Sequence, residues 1–218
     1  MAAGAEADAE PEVPGAQDGS PGRRYAGRSP DERRRQRRQQ LLDAGLQVFG
    51  TVGYDDATIT LLCGTARVGT KAFYEEFPSR EALLLAVATD VVAAAATRLE
   101  EALAGAPLDL EQRVRAGLSA YIGYLTEDPR RVRVAYREIR VAPLEAERQF
   151  GSVAFASLVT AQVAELGLGG HARDNLLLAL ALTGGVGELL NHWTSAEVKP
   201  PTERLVDELT RLFVAALR

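Results

Sequence analysis

The sequence predicts an all-α protein, with a small three-helix head followed by a longer helical bundle. Three observations predict it. Ala, Leu, Arg and Glu dominate, while aromatic residues make up only 6% and β-branched residues are scattered, a balance that favours helix. Apolar residues recur with a 3.6-residue period in stretch after stretch, and no segment alternates with period two. Helix start and stop signals (Ser, Thr and Asp caps, early Pro, late Gly) punctuate those stretches. At 218 residues, 46% hydrophobic and 25% charged, the chain has the composition of an ordinary globular protein and is long enough to bury a core.

Residues 1–28 are rich in Ala, Gly, Pro and acids without apolar periodicity, which predicts a disordered tail. Ser29 then reads as an N-cap, with Pro30 at the first helical position and acids in the first turn. Apolar positions 41, 42, 45, 48, 49 and 52 continue that helix until Gly53 stops it. Two short helices follow, over 58–65 from Thr58 and over 69–76 from Gly69–Thr70. Pro78–Ser79 caps a long helix that runs to Leu103. The remainder reads as helices over 110–126, 129–141, 143–166, 172–194 and 202–217, closed by "TEDP", Pro143, "GLGG" and "KPPT". The domains are therefore a tail (1–28), a helix-turn-helix unit (29–78) and a helical bundle (79–218).

The net charge of −5 hides an asymmetry. Residues 1–20 carry five acids and no base, whereas residues 21–80 carry eleven bases against seven acids. A basic block of this kind marks a segment that meets an anion. The single cysteine, Cys63, excludes an intrachain disulfide and a cysteine-rich zinc site. His171 and His192 have no third ligand in register, so no metal is expected. No nucleophile, base and orienting acid converge and there is no phosphate loop, so neither an enzyme nor a cofactor is expected. The acidic N-terminus is no signal peptide and no long uninterrupted apolar run appears, which predicts a cytoplasmic protein with no membrane partner.

Two short helices joined by a tight turn inside the basic block form a candidate helix-turn-helix. The second begins beside Thr70 and Lys71, and a helix N-terminus attracts phosphate through its free amides and dipole. Tyr74 sits one turn later, where a phenol can donate to phosphate, and Arg80 opens the next helix, where a cation is unfavourable unless it faces an anion. The arginine run Arg33, Arg34, Arg35, Arg37 and Arg38 reads equally as a charged helix start or as a phosphate or minor-groove contact. Phe73 and Phe77 read as core, pinning this helix onto Phe49 and Leu62.

Through "LLDAGLQVFGTVGYDDATI", "ARVGTKAFYEEF" and "PSREALLLAV", residues 33–90 resemble the DNA-binding head of the TetR family of bacterial transcription regulators. The spacing of Tyr74, Phe77, Arg80, Glu81, Leu83 and Leu84 is the specific part of that resemblance. It implies a homodimer on a palindromic double-stranded operator, a small-molecule effector in each bundle, and release of a repressor by that effector. It implies that Thr58 caps the second helix against phosphate and that Gly69, Thr70, Lys71 and Ala72 face the bases. Tyr74 and Arg80 would touch the backbone. Arg67 stands where the turn usually has glycine, Gly69 where the cap is usually serine, and Ala72 where threonine is frequent. These departures bear on which operator is read. An activator with the same head, or a helical interaction module that has lost DNA binding, are the alternatives.

In the bundle, Tyr121, Tyr124, Tyr136, Phe150, Phe155 and Trp193 read as core or as pocket lining, the tyrosines being the better ligand contacts because a buried phenol needs a partner. Few charges fall on inward faces, which points to a mostly apolar effector. "LTGGVGELLNHW" places three glycines in an apolar helix, read either as a kink or as a close helix approach across a two-fold axis. Since the family dimerises through its last two helices, the resemblance implies an interface at Gly184, Gly185 and Leu189 with the final helix's Leu205, Leu209 and Phe213.

Overall fold

The structure, a computed structural model, describes residues 29–143, 156–157, 159–161, 164–165, 167 and 172–217. The tail at 1–28, Phe150, Phe155, His171 and most of the 143–166 helix lie outside the described residues. Among the described residues the chain is helical throughout, with no strand.

α1 (Pro30–Thr51) starts as its sequence requires. Ser29 Oγ accepts from the Glu32 amide at 3.1 Å while Glu32 accepts from the Ser29 amide at 2.6 Å, a reciprocal capping box. It ends at Gly53, whose φ of +91° favours glycine. α2 (Ile59–Ala66) and α3 (Thr70–Glu76) follow, then the long α4 (Arg80–Gly105) and α5 (Leu110–Glu127). Pro129–Val132, Arg133–Glu138 and Ile139–Val141 run on as one helix, α6, whose middle piece is π-helical. α7 (Ala172–Ser195) and α8 (Thr202–Leu217) complete the bundle.

Two cores share α4. The head core gathers Phe49 from α1, Leu62 from α2, Phe73 from α3 and Leu83, Leu84 and Val87 from α4, all essentially inaccessible. Fully burying such side chains contributes roughly 1.5–3 kcal/mol each, enough to hold helices as short as α2 and α3 that would not form alone. The bundle core takes Val91, Ala95, Leu99 and Leu103 from α4 with Ile122, Leu125, Leu190 and Trp193. α4 is long and apolar enough to cross a membrane by composition alone; here its apolar residues line these two cores.

α6 belongs to both. Val134, Ile139 and Ala142 enter the head core, while Ala135 and Tyr136 pack on the bundle core. It crosses α1 so closely that a Cβ at Gly50 would lie 2.5 Å from the Arg130 side chain. A π-helical piece lets adjacent side chains face two different neighbours, and such pieces recur at functional positions.

Candidate nucleic-acid interface

α2, a short turn and α3 make the helix-turn-helix. Thr58 Oγ1 accepts from the Leu61 amide at 3.2 Å and so caps α2. The turn closes on Arg67 at φ 57° and ψ 41°, with the Val68 amide donating to Cys63 O and the Arg67 amide to Gly64 O. A left-handed residue with a Cβ costs about 1 kcal/mol or more, so this turn is closed by its hydrogen bonds and by the head core beneath it. Gly69 caps α3 without a side-chain hydrogen bond, and a Cβ there would meet nothing within 4 Å. The space in front of α3 is open.

Around that space Thr58, Arg67, Gly69, Thr70, Lys71 and Tyr74 are all exposed, and Ala72 is half-buried. Lys71 and Tyr74, three residues apart, share one face of α3. Tyr74 is 53% exposed although its ring meets the buried Phe73 edge-on at 5.4 Å, so its hydroxyl end is free to reach outward. Phe73 and Phe77 are buried in the head core with Phe49 and Leu62, as expected. Arg38 lies over the Phe77 ring at 4.6 Å, behind the exposed face.

Arg80 is turned onto the chain itself. Its Nη1 donates to Tyr54 O and Ala57 O, both at 3.1 Å, its guanidinium stacks on the Tyr54 ring at 4.2 Å, and Glu81 pairs with it. The Tyr54 hydroxyl donates to Glu81, and this bond above all holds the Glu81 carboxyl down to about 2. From the other side, α6 reaches the same loop. Glu138 Oε2 accepts from the Tyr54 amide at 2.7 Å, Glu138 Oε1 accepts from Arg133 Nε at 2.7 Å, and Arg133 Nη1 donates to Thr51 O at 2.7 Å. The loop that leads into Thr58 is thus held by α4 and by α6 together. The sequence reading missed Arg133 and Glu138, which stand more than eighty residues from the loop they hold, and no local pattern signals them.

The structure divides the bundle residues. Tyr121 and Tyr136 meet, with their hydroxyl oxygens 2.5 Å apart. Burial pushes the Tyr121 phenol up to about 12 and the Tyr136 phenol well above the ordinary value, so both are neutral. A Cβ at Gly187 would lie 3.3 Å from the Tyr136 ring, so that glycine makes room for it. Tyr124 lies apart, under the Arg131 guanidinium at 4.1 Å and beside an open groove with Arg98, Glu101 and Glu127. Trp193 is buried, donates to Pro200 O at 3.1 Å and carries Lys199 on its ring, which fastens the α7–α8 connection. Phe155 lies outside the described residues.

Of the expected interface residues, Gly184 and Gly185 are exposed and a Cβ on either would meet nothing, while Leu189 is half-buried. Leu205, Leu209 and Phe213 differ from the expectation. Each is at most 5% exposed, packed with α5 and α7 residues inside the chain's own bundle core. An apolar stripe with helical period reports a buried face without naming what covers it. On α7, Glu188 pairs with Arg140 of α6 at 2.7 Å.

A short helix pair with a capped start, an open α3 face and a supporting helical bundle defines a DNA-binding transcriptional regulator, a class of fold that is not that of an enzyme. Residues 41–87 match the pattern of the bacterial regulatory proteins of the tetR family. The match covers the head, which is thus of the TetR-family type. Its fold is similar to that of the fatty acid degradation regulator FadR from Bacillus halodurans, at TM-score 0.73 and 19% identity over 88% of this chain and 98% of that one. A putative TetR-family transcriptional regulator from Rhodococcus sp. aligns at TM-score 0.71 and 19% identity over 84% and 100%. The transcriptional regulator FadR from Bacillus subtilis, solved in complex with stearoyl-CoA, aligns at TM-score 0.69 and 16% identity over 83% and 99%. No curated protein sequence matches the chain.

Proposed function

We propose that the protein is a cytoplasmic, homodimeric repressor of a palindromic operator, released when a small, largely apolar molecule enters the bundle. The observation that carries the operator reading is the exposed Thr70–Lys71–Tyr74 face of α3, backed by a fully buried Phe73 and opening on empty space. Lys71 contributes affinity by displacing counterions from phosphate, and Tyr74 orients α3 on the backbone. The test is selection of duplexes from a random library by the wild-type protein, then binding to the selected duplex across a salt series. Lys71→Ala should weaken binding and lower the salt slope by about one. An unchanged slope sinks the docking face. Expression from the regulated promoter in a deletion strain decides repression against activation, since loss of a repressor raises transcription.

The effector reading rests on the Tyr121–Tyr136 pair, two neutral phenols hydrogen-bonded in an apolar core, where a ligand with one polar group can replace one phenol as partner of the other. The stearoyl-CoA seen on the Bacillus subtilis regulator has an apolar chain of that character. Tyr136 stands on the helix whose Arg133 and Glu138 hold the head loop, so movement at the pair is passed to Tyr54 and Thr58. A coupling of about 1–3 kcal/mol weakens operator binding roughly 5- to 150-fold. Fatty acids and acyl-CoAs that raise the melting temperature should release the selected duplex, and Tyr136→Phe should blunt release while the ligand-free protein binds DNA as before. Stabilisers that leave DNA affinity untouched overturn this part.

A further inference from the structure

The arginine run at the start of α1 divides by helical geometry. Arg34, Arg37 and Arg38 fall on one side of α1, spaced three and four residues apart. Arg34 Nε lies 3.4 Å from Glu76 Oε2 and Arg37 Nη2 lies 3.3 Å from Glu76 Oε1, with Glu75 at 3.6 Å from the same Arg37 nitrogen. The third member, Arg38, covers Phe77. Three arginines of a run that reads equally as a charged helix start or as a DNA contact are therefore directed at the back of α3.

Glu76 is the unusual partner. Its side chain is 1% exposed, and it is the last residue of α3, where the helix dipole disfavours a carboxylate. A buried carboxylate in that position is costly unless it is paired. Its two guanidiniums come from one element, α1, so the pairing fixes the C-terminal end of α3 against α1. Glu76 stands two residues beyond Tyr74 and five beyond Lys71, on the side of the helix away from the exposed face. α3 has only seven residues, too few to hold an orientation by itself, and Phe73 anchors it at mid-length.

We propose that Glu76, clamped by Arg34 and Arg37, is a positioning residue for operator recognition: it sets the angle at which α3 offers Thr70, Lys71 and Tyr74 to the DNA. The proposal rests on the operator reading above and goes beyond it in giving a carboxylate a positive role at a DNA-binding surface. Charge alone makes the opposite prediction. Removing an acid near DNA, and freeing two arginines, should tighten binding to any duplex and steepen its salt dependence. If Glu76 positions α3, its loss weakens binding to the selected duplex even as binding to a random duplex holds or improves.

The experiment measures affinity for the duplex selected by the wild-type protein and for a random-sequence duplex of equal length, at several salt concentrations. Glu76→Gln keeps the shape and removes the charge. Glu76→Asp keeps the charge and is too short to reach both arginines. The expected result is a fall of roughly tenfold or more in the ratio of specific to random affinity, the size of one or two lost base contacts, in whichever of the two variants retains wild-type helicity. A ratio unchanged in every folded variant overturns the proposal, as does failure of both to fold, which would make Glu76 a folding residue only. A wild-type protein that selects no sequence is a separate outcome: it defeats the operator reading, and the positioning role with it.

Discussion

Glu138→Ala is expected to cost about 2–3 kcal/mol of stability, from one buried donor left without its acceptor. The Tyr54 amide is buried and donates to Glu138 Oε2, and alanine offers nothing in its place. Arg133 also loses its carboxylate, but its side chain is 27% exposed and can turn to water, so this part of the loss is small. For a chain of this length the change corresponds to a fall of roughly 5–10 °C in melting temperature. Glu138→Gln should lose less, because its amide oxygen still accepts from Tyr54 while the ion pair to Arg133 is gone. Glu138→Ala should also weaken DNA binding by the ligand-free protein, since the loop between Gly53 and Thr58 is then held from α4 alone, by Arg80 and Glu81. Urea denaturation decides the first claim: an alanine variant within about 0.5 kcal/mol of wild type, the spread of ordinary surface changes, means that α6 does not hold the head loop.

The head was legible in the sequence because its determinants are local. Ser29 with Glu32, Thr58 ahead of Ile59 and Ser79 ahead of Arg80 each set a helix start from residues within one turn, and the structure carries all three caps. The positive φ of Arg67 fits the resemblance, which puts Arg67 where the turn usually has glycine. The exposed face proposed to meet DNA was legible for the same reason, since Thr70, Lys71 and Tyr74 lie on one short helix whose other face is aromatic. The partners of those elements were not legible. Nothing near Glu138 in sequence points to Tyr54, nothing near Glu76 points to Arg34, and a basic run looks the same whether it faces phosphate or a buried carboxylate. The π-helical piece of α6 reads as ordinary helix because its departure from 3.6 residues per turn answers to neighbours on both sides. The stripe of Leu205, Leu209 and Phe213 shows the same limit, its period giving the buried face of α8 while leaving open whether α5 or a second copy covers it.

That ambiguity sets up the other large effect. In one copy of the chain, Gly184 and Gly185 are exposed on α7 and a Cβ on either meets nothing within 4 Å, so no neighbour within the described chain requires glycine there. Glycine in the middle of a helix costs roughly 0.5–1 kcal/mol relative to alanine. In the homodimer proposed above, a second copy approaching this face too closely to admit a side chain would account for two such residues side by side. Leu177, 64% exposed two turns earlier on the same face, supplies apolar area beside them. Gly185→Glu should therefore leave each copy folded, or slightly more stable, while a buried unpaired carboxylate at the contact prevents two copies from meeting. Sedimentation equilibrium should find a monomer. Two heads joined on one dimer bind two half-sites together, so separating them should lower affinity for the selected duplex by about 10²- to 10⁴-fold. Phe213→Ala should behave oppositely, costing about 3–5 kcal/mol of each copy's own stability because it empties the bundle core. If Gly185→Glu stays dimeric and holds the duplex as tightly as wild type, the two copies meet elsewhere, and the paired glycines need another explanation. If instead Phe213→Ala yields a stable, folded monomer, α8 rather than α7 carries the interface.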